Sequence, residues 1–414
     1  MVGVVMAEIS KGPHVGTLSS RFPCSLQPSR GLSIRERMFR VARRLPLYVV
    51  SPTPWVPLED WFRQNLHPTF RPSMPEYEEQ QGIPTWFPRF LTVPGPDVMQ
   101  LLDGWTMFKG AYSRFAALHN AGRLDLIDAH GAYPEGYAAV LLGRQFQVPV
   151  TITLHGDERV HGSWRISKLC EAFKGAARIF TVNSSLRQFA LELGVPDDRV
   201  EMVSDGIDVE RFYPHDRNAS RAALGISPTA PVLLSSAGVS GAKGYKRLIE
   251  SLPTLSEHWP DLVCLLAVGL DSLERHARAE LEALVEQLNL KGIVRFLDTI
   301  SPNELASTLS AADVFVFTAY SEGSATALLE AMACGVPVVA FDIGSTRELV
   351  SHPELGELTF LGDPSALRTA IDLALSRKWD RVAIRRYGET FHWDGRVNRL
   401  CRVFAELVSG RRTG

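Results

Sequence analysis

The chain has little cysteine and no long apolar segment. Its 414 residues include five cysteines, which stand far apart, are odd in number and form no C-x-x-C pair. This pattern is typical of reduced thiols in a cytosolic protein and argues against a disulfide scaffold or a zinc site. No uninterrupted apolar run approaches the ~20 residues that span a bilayer, and the N-terminus lacks the charged start and apolar core of a signal peptide. We therefore expect a cytoplasmic protein whose membrane contact, if it has any, is peripheral at the inner face.

Neither sign of charge is in excess. Lys and Arg number 44, Asp and Glu number 46, and the formal net charge is −2. A nucleic-acid-binding protein usually has a basic excess, so nucleic acid is not an expected partner. The 11 histidines are scattered without metal-ligand spacing. We expect no bound metal and no cofactor.

Strand and helix patterns alternate along most of the chain. Short apolar runs at residues 126–130 and 314–317 predict buried strands, and helix-favouring segments follow them. The alternation predicts an α/β fold made of two Rossmann-like domains with parallel sheets. In contrast, the stretch from about Trp55 to Pro96 is rich in proline and aromatic residues and predicts a long loop region.

Four parts of the chain can be distinguished. Residues 1–14 are interpreted as an N-terminal extension, 15–212 as the first domain, 213–390 as the second, and 391–414 as a final helix. A linker is predicted near 212–228, where proline and polar residues gather.

The most informative segment contains two glutamates eight residues apart, Glu322 and Glu330. Glu322 and Gly323 follow a predicted strand, at the carboxyl end where open α/β sheets bind ligands. Ser324 begins a predicted helix, whose N-terminus offers free N–H groups to an anion. Glu330 lies about two turns into that helix. Two glutamates alone are ordinary on a helix surface, but with these neighbours they suit a nucleotide sugar, which has two sets of hydroxyls around a diphosphate.

With the small residues around it and the following Ala-Cys-Gly-Val-Pro-Val-Val, this segment resembles the E-x7-E segment of retaining glycosyltransferases with the GT-B fold, in the large family 4 group. The resemblance covers about residues 15–400. It implies two domains facing each other across a cleft, with the nucleotide-sugar donor (UDP- or GDP-sugar) held by the second and the acceptor by the first. Glu330 would then bind the ribose and Glu322 the sugar, and the final helix would cross back onto the first domain.

Lys243 follows the first predicted strand of the second domain, between glycines. A lysine there can reach a phosphate, although a solvated surface lysine is the plain alternative. The segment resembles the family's Lys-Gly segment, whose Lys neutralises the leaving diphosphate. The family's Arg shortly upstream is missing, because that position is Gly238-Val239 here. Lys246 or Arg247 could substitute for it.

The loop from Pro28 to Leu32 offers another cation. It resembles the glycine-containing loop after the family's first strand, which lies near the diphosphate or the acceptor. Gly31 would admit the ligand, and we hypothesise that Arg30 supplies the missing positive charge. Replacing Arg30 by Ala should then raise the donor KM or lower kcat.

Two histidines follow neighbouring strands of the first domain. His155 stands at a strand's carboxyl end and is followed by glycine. A lone histidine is more often structural, but this turn resembles the family's His-Gly turn, whose His lies near the donor sugar. His130, in the preceding strand-to-helix turn, either helps to bind the acceptor or packs beneath the turn.

The acceptor and the role of a basic helix stay open. The predicted helix from Ile34 to Leu45 has five arginines, which form either a solvated face or a surface for anionic lipid. By analogy with bacterial exopolysaccharide or lipopolysaccharide sugar transferases, the expected acceptor is a lipid-linked or growing oligosaccharide. The alternatives are a non-catalytic nucleotide-sugar-binding protein of the GT-B fold, or another GT-B enzyme such as a phosphorylase or an epimerase.

Overall fold

A computed structural model of the chain consists of two compact units, Met1–Asp205 with Asp394–Gly414, and Gly206–Trp393. The structure describes residues 12–28, 30–56, 74–92, 101–156, 163–236, 242–267, 272–298, 300–319, 325–361 and 363–412.

The first unit is built on a mainly parallel sheet. Its strands are β1 (Val15–Leu18), β2 (Leu47–Val50), β3 (Thr53–Trp55), β4 (Tyr77–Gln80), β5 (Ile83–Trp86), β6 (Arg89–Leu91), β7 (Leu126–His130), β8 (Val150–Leu154), β9 (Arg178–Thr181) and β10 (Val200–Met202). Eight of them form one sheet in the order β10-β9-β8-β7-β1-β2-β5-β4, and β3 pairs with β6. Strands β1, β7 and β8 are buried along their whole length, as expected of strands covered on both faces.

Helices cover this sheet. They are α1 (Leu32–Ala42), α2 (Asp103–Asn120), α3 (Tyr137–Phe146), α4 (Ser163–Gly175) and α5 (Ser184–Glu192), with a short π-helical turn at Ala132–Gly136 and a 3-10 turn at Asp197–Arg199. The apolar face of α2 packs into the core through Met107, Ala111 and Phe115, all fully buried. Helix α5 begins after Asn183, whose side chain accepts a hydrogen bond from Leu186 N at 2.8 Å, the usual capping arrangement.

The prediction of a loop region between Trp55 and Pro96 is wrong for the part of it that the structure describes. Its described part contains β4, β5 and β6. Strands β4 and β5 form an antiparallel hairpin, and β5 extends the main sheet by pairing with β2. Gln81 and Gly82 at the hairpin tip have φ of 51° and 79°, as tight hairpin loops require. Prolines hid these strands from the pattern, since Pro84 stands within β5 near the edge of the sheet.

The second unit has a six-stranded parallel sheet. Its strands are β11 (Val232–Ser236), β12 (Val263–Ala267), β13 (Val294–Leu297), β14 (Val314–Phe317), β15 (Val338–Phe341) and β16 (Gly356–Thr359), in the order β13-β12-β11-β14-β15-β16. Its helices are α6 (Arg217–Ala223), α7 (Ala242–His258), α8 (Ser272–Gln287), α9 (Pro302–Ala311), α10 (Thr326–Ala333), α11 (Gly344–Leu349), α12 (Pro364–Ser376) and α13 (Arg381–Glu389). Phe315 belongs to one core, and its neighbours Val314 and Val316 belong to another. Alternate residues of β14 therefore serve two cores, as a doubly covered sheet requires.

The linker predicted near 212–228 is also corrected. This segment contains α6 and belongs to the second unit. Arg221 is fully buried within it and donates to the carbonyl oxygens of Ala311 (3.0 Å) and Ala230 (2.9 Å) and to Asp313 Oδ2 (2.7 Å). These hydrogen bonds fix the segment to the strand-bearing part of its unit, so it is not a flexible connection.

The last helix, α14 (Trp393–Arg412), lies almost entirely in the first unit. Phe404 is fully buried and meets Phe180 of β9 edge to face, with ring centroids 6.1 Å apart. Arg399 forms a forked ion pair with Glu201 of β10. The helix is therefore a structural part of the first unit.

Candidate active site

The order of strands in the first sheet defines where a ligand should bind. β1 lies at the centre, with β2 on one side and β7 on the other, so the strand order reverses between β1 and β7. Open α/β sheets bind ligands outside the carboxyl ends of strands at such a switch point. The loop with Gly31 follows β1, His130 ends β7, and His155 follows the next strand, β8. The structure thus brings these predicted residues to one edge of the sheet.

His155 and His130 are in direct contact. His155 Nε2 lies 2.7 Å from His130 Nδ1, and the two rings stack with centroids 5.0 Å apart. His130 is 1% exposed, whereas His155 is only partly buried. His130 therefore packs beneath the turn, one of the two roles predicted for it, and it also holds the ring of His155.

A buried carboxylate completes the line of polar groups. Asp128, two residues before His130 on β7, has Oδ2 3.1 Å from His130 Nε2, and its Oδ1 accepts a 2.6 Å hydrogen bond from Thr151 Oγ1. A carboxylate facing Nε2 favours a proton on that nitrogen. Asp128 thereby helps to orient the His130 ring, whose Nδ1 faces His155 Nε2.

The same surroundings keep His155 uncharged. Burial is the largest cause of a pKa of His155 well below the ordinary value for histidine, and the charges of His130 and Arg37 act in the same direction. His155 is therefore a neutral imidazole at neutral pH. A neutral ring at this edge of the sheet can form hydrogen bonds with sugar hydroxyls without adding charge.

The loop after β1 requires a glycine at position 31. Gly31 has φ of 57°, and a Cβ there would lie 2.0 Å from the carbonyl oxygen of Arg21, so another residue would be strained and would clash. Arg30 Nη1 donates to Gln27 Oε1 at 3.3 Å. The structure thus places the Arg30 guanidinium beside Gln27 of its own loop, and its phosphate-binding role stays a prediction.

One acidic residue at this edge is absent from the predicted site. Glu135 is 4% exposed and accepts a hydrogen bond from the Ser20 hydroxyl, joining the turn after β7 to the loop after β1. Gly131 begins that turn with φ of 113°. The available signal was an acidic residue between proline and glycine directly after a buried strand, a place where a solvated glutamate would be the ordinary reading.

The second sheet has its own switch point, between β11 and β14. Lys243 lies in the first turn of α7, the helix that follows β11. A Cβ on Gly244 would lie 2.2 Å from the carbonyl oxygen of Thr318, just after β14. The Lys-Gly segment is therefore packed against the start of the segment that leads to the two glutamates.

Glu330 is in α10, about one turn after its start at Thr326, rather than the two turns predicted. It is partly buried and is one cause of the raised pKa of Cys334, one turn further on. The predicted site residues Glu322, Gly323 and Ser324, and Val239, lie outside the described residues. For Lys243 the structure describes the backbone only.

One possible substitute for the missing arginine, Lys246, is paired with a neighbouring glutamate. Lys246 is exposed on α7, and its ammonium lies 3.8 Å from Glu250 Oε1, one turn along the same helix. This contact is an ordinary surface ion pair. The roles proposed for Lys246 and Arg247 stay predictions.

Most arginines of the helix predicted at 34–45 form ion pairs within the first unit. The pairs are Arg35 and Arg40 with Glu36, Arg37 with Asp205, and Arg44 with Asp394. Arg37 is buried, at 1% exposure. Three carboxylates thus compensate part of the charge of the five arginines, and the two predicted roles, a solvated face or a surface for anionic lipid, stay predictions.

Among the described residues, no three His, Cys, Asp or Glu side chains are grouped as a metal site would need. In the same part of the chain, no helix has the length and the apolar character needed to cross a bilayer.

Comparisons with known proteins agree with this geometry. The family model of glycosyl transferases group 1 matches residues 216–391, and that of Glycosyltransferase Family 4 matches residues 66–211. D-inositol 3-phosphate glycosyltransferase of Corynebacterium urealyticum is 30% identical over 323 residues, covering 72% of this chain and 75% of that protein.

Solved structures of similar fold extend over nearly the whole chain. Sucrose-phosphate synthase of Thermosynechococcus elongatus has a TM-score of 0.72 at 20% identity and covers 97% of this chain and 100% of that one. HepE of Anabaena, solved in complex with UDP, has a TM-score of 0.70 at 18% identity and covers 95% and 99%. Both sheets of this chain therefore belong to a GT-B fold.

Proposed function

Because the chain belongs to the glycosyltransferases of group 1 and family 4, we propose that it moves a sugar from a nucleoside diphosphate sugar to an acceptor hydroxyl with retention of the anomeric configuration. The observation that carries this proposal is the switch point of the second sheet. There Gly244 packs on Thr318, so that the lysine-bearing turn and the segment of the two glutamates start side by side.

The donor roles follow from charge and position. Glu330 on α10 would accept hydrogen bonds from the ribose hydroxyls, and Glu322 would bind the sugar hydroxyls and orient C1. Gly323 and Ser324, which precede α10, would place the diphosphate at a helix N-terminus. Lys243 would neutralise the charge that grows on the leaving diphosphate. UDP-sugars are the first donors to test, since HepE was solved in complex with UDP.

The reaction we propose needs no covalent nucleophile. The C1–O bond breaks with its electron pair going to the diphosphate, the acceptor oxygen bonds to C1 on the same face, and the acceptor proton goes to a diphosphate oxygen. Charge stabilisation of the leaving group is then the main catalytic term. His155, kept neutral mainly by burial and held in contact with His130, would hydrogen-bond the donor sugar. We propose that no metal ion takes part.

For the acceptor we propose a lipid-linked or growing oligosaccharide in polysaccharide synthesis, at the cytoplasmic face of a membrane. A second candidate is a phosphorylated polyol, because the relative from Corynebacterium urealyticum is named for D-inositol 3-phosphate. The two differ in charge and size, so both belong in an acceptor panel.

The first experiment is thermal unfolding of the full chain with UDP-, GDP- and ADP-sugars in the presence of EDTA. A bound donor at 100 times its Kd stabilises the protein by ~2.7 kcal/mol, so one nucleotide should raise the Tm. Glu330→Ala should abolish this rise. The matched control Glu354→Ala, at an exposed position of the same unit, should keep it.

Transfer is tested next with the nucleotide that binds. Radiolabelled donor is incubated with the acceptor panel, and the anomeric configuration of the product is read by NMR. A product of inverted configuration would refute retention. Binding without any transfer would favour the non-catalytic alternative, transfer to inorganic phosphate would identify a phosphorylase, and conversion without acceptor an epimerase.

A further inference from the structure

The first half of α2 and the two residues before it have large apolar side chains that the fold leaves exposed. Leu102 is 64% exposed, Trp105 50%, and Leu101 and Tyr112 each 37%. Trp105 and Tyr112, seven residues apart, lie on one side of α2, and Leu101 and Leu102 directly precede the helix. We call these four residues the aromatic stripe. Phe108, partly buried, bridges it, since its ring centroid lies 5.8 Å from that of Tyr112.

The stripe is not needed to pack the helix. An adjoining side of α2 supplies Met107, Ala111 and Phe115 to the core, all at 0% exposure. Gly110 lets the helix approach β6 closely, because a Cβ there would lie 2.4 Å from the carbonyl oxygen of Arg89. Helix α2 is thus anchored on its inner side, and the stripe is a second, outward apolar surface of a rigid element.

The charge beside the stripe is positive. Between Asp103 and Asn120 the sequence has Lys109 and Arg114 and only one carboxylate, Asp103, which accepts a hydrogen bond from Thr92 Oγ1 at 3.1 Å. Lys109 is exposed, and its ammonium lies 5.3 Å from the ring of Trp105 and 5.6 Å from that of Phe108. Lys109 therefore places a positive charge on the stripe itself, whereas Arg114, nine residues after Trp105, lies on the other side of the helix.

We propose that the aromatic stripe docks the first unit onto the interface of an anionic lipid bilayer, with α2 lying along the surface. Tryptophan and tyrosine are favoured at the headgroup level, where one end of the ring system is apolar and the other wet. Lysine and arginine beside them reach anionic headgroups while their stems cover apolar surface. Helix α1 has no tryptophan or tyrosine, and its arginines form ion pairs within the first unit.

The position of the stripe gives the docking a use. Tyr133, in the turn after β7, accepts a hydrogen bond from Gly104 N at 3.2 Å and donates one to the Leu101 carbonyl oxygen at 3.0 Å. The start of α2 is thereby fixed to the turn that follows His130. A membrane surface held at the stripe would present an acceptor carried on a lipid beside this edge of the first sheet.

The test is flotation of the full-length protein with vesicles of phosphatidylcholine and phosphatidylglycerol, compared with phosphatidylcholine alone. The wild type should float with the anionic vesicles. The double variant Leu102→Ser/Trp105→Ser should lose at least tenfold in affinity, and Lys109→Glu roughly fivefold for each unit of charge changed. Phe360→Ser, which removes a side chain 74% exposed in the second unit, is the matched control and should bind like the wild type.

Each possible result of the flotation experiment either supports or overturns the proposed membrane docking. All substitutions are at exposed positions, so unchanged thermal unfolding of the free variants would show that they fold. If the wild type floats with neither kind of vesicle, the proposal is overturned and a protein partner becomes the alternative occupant of the stripe. Equal binding to neutral and anionic vesicles, or a double variant that floats like the wild type, also overturns it. No donor or acceptor is present, so failure here is distinct from failure of the proposed reaction.

Discussion

The buried pair of Arg37 and Asp205 should be one of the most sensitive points of the first unit. Arg37 Nη2 lies 2.9 Å from Asp205 Oδ1 and 2.9 Å from the Val203 carbonyl oxygen, and both side chains are at most 1% exposed. The pair ties α1 to the segment that follows β10. Asp205→Asn keeps the shape but leaves the guanidinium buried without its counter-charge. Breaking a buried pair in this way typically costs about 3–5 kcal/mol, and the remaining amide oxygen places our expectation near 3 kcal/mol.

The assay must report on the first unit alone, because a chain of two units need not unfold in one step. Hydrogen exchange followed by mass spectrometry gives that resolution. Peptides from β7, β8 and β9 should lose protection in Asp205→Asn, whereas peptides from β14 and β15 should not change. In urea, with a slope of about 2–3 kcal/mol per molar, the midpoint for the first unit should fall by roughly 1 M.

A surface pair two residues after the end of the same helix provides the control. Arg44 Nη2 lies 2.8 Å from Asp394 Oδ1, but the Asp394 side chain is 67% exposed, so Asp394→Asn should cost less than about 1 kcal/mol. The double variant Arg37→Met/Asp205→Asn should be less destabilised than the sum of its single variants, since it removes the unpaired charge. If Asp205→Asn costs no more than Asp394→Asn, the reasoning about the buried charge is wrong.

Three further predictions concern the sites. Replacing His130 by Ala removes the 2.7 Å contact with His155 and one cause of the low pKa of His155, and kcat should fall about tenfold. The pKa of His155 should rise. Because activity is lost as the pH falls through this pKa, the acid limb of the pH–rate profile should move to higher pH. An acid limb that stays in place would contradict this. Replacing Gly244 by Ala puts a Cβ 2.2 Å from a backbone carbonyl and should reduce the Tm rise caused by the donor, whereas Gly292→Ala, where a Cβ meets nothing within 4 Å, should not. Burial raises the pKa of the Cys264 thiol to about 12, so at pH 8 iodoacetamide should alkylate this thiol only after denaturation. Mass spectrometry detects the alkylated peptide, and rapid labelling of the folded protein would refute the burial of Cys264.

Elements with strong local patterns were predicted well from the sequence. The strands at 126–130 and 314–317 have the predicted bounds, because a short apolar run flanked by polar residues has few other uses in an α/β protein. Helix α7 contains Pro253, a residue that usually ends or kinks a helix, but it continues to His258. Leu255, on the same buried side as Leu248 and Leu252, shows that tertiary packing holds the helix together across the proline.

The site was predictable where it follows strand ends and not where it depends on distant partners. His155 could be placed at an edge of the sheet from its position after an apolar strand, but its partner His130 kept two equal interpretations until the 2.7 Å contact was known. The burial of Arg37 had no local signal. Its partner Asp205 is 168 residues away in sequence, and the sequence left the arginines of this helix either in a solvated face or in a surface for anionic lipid.

The chain leaves the first unit after Asp205 and returns to it at Asp394, which has a consequence for synthesis. On the ribosome, all the strands of the first sheet emerge before the second unit begins, yet Phe180 and Glu201 must wait for α14, the 20-residue helix at Trp393–Arg412. The second unit is contiguous and has all of its strands and cores available while α14 is still being translated. The nascent chain therefore leaves a surface of the first unit uncovered until α14 has emerged, and a premature stop within α14 would leave that surface to chaperones or to aggregation.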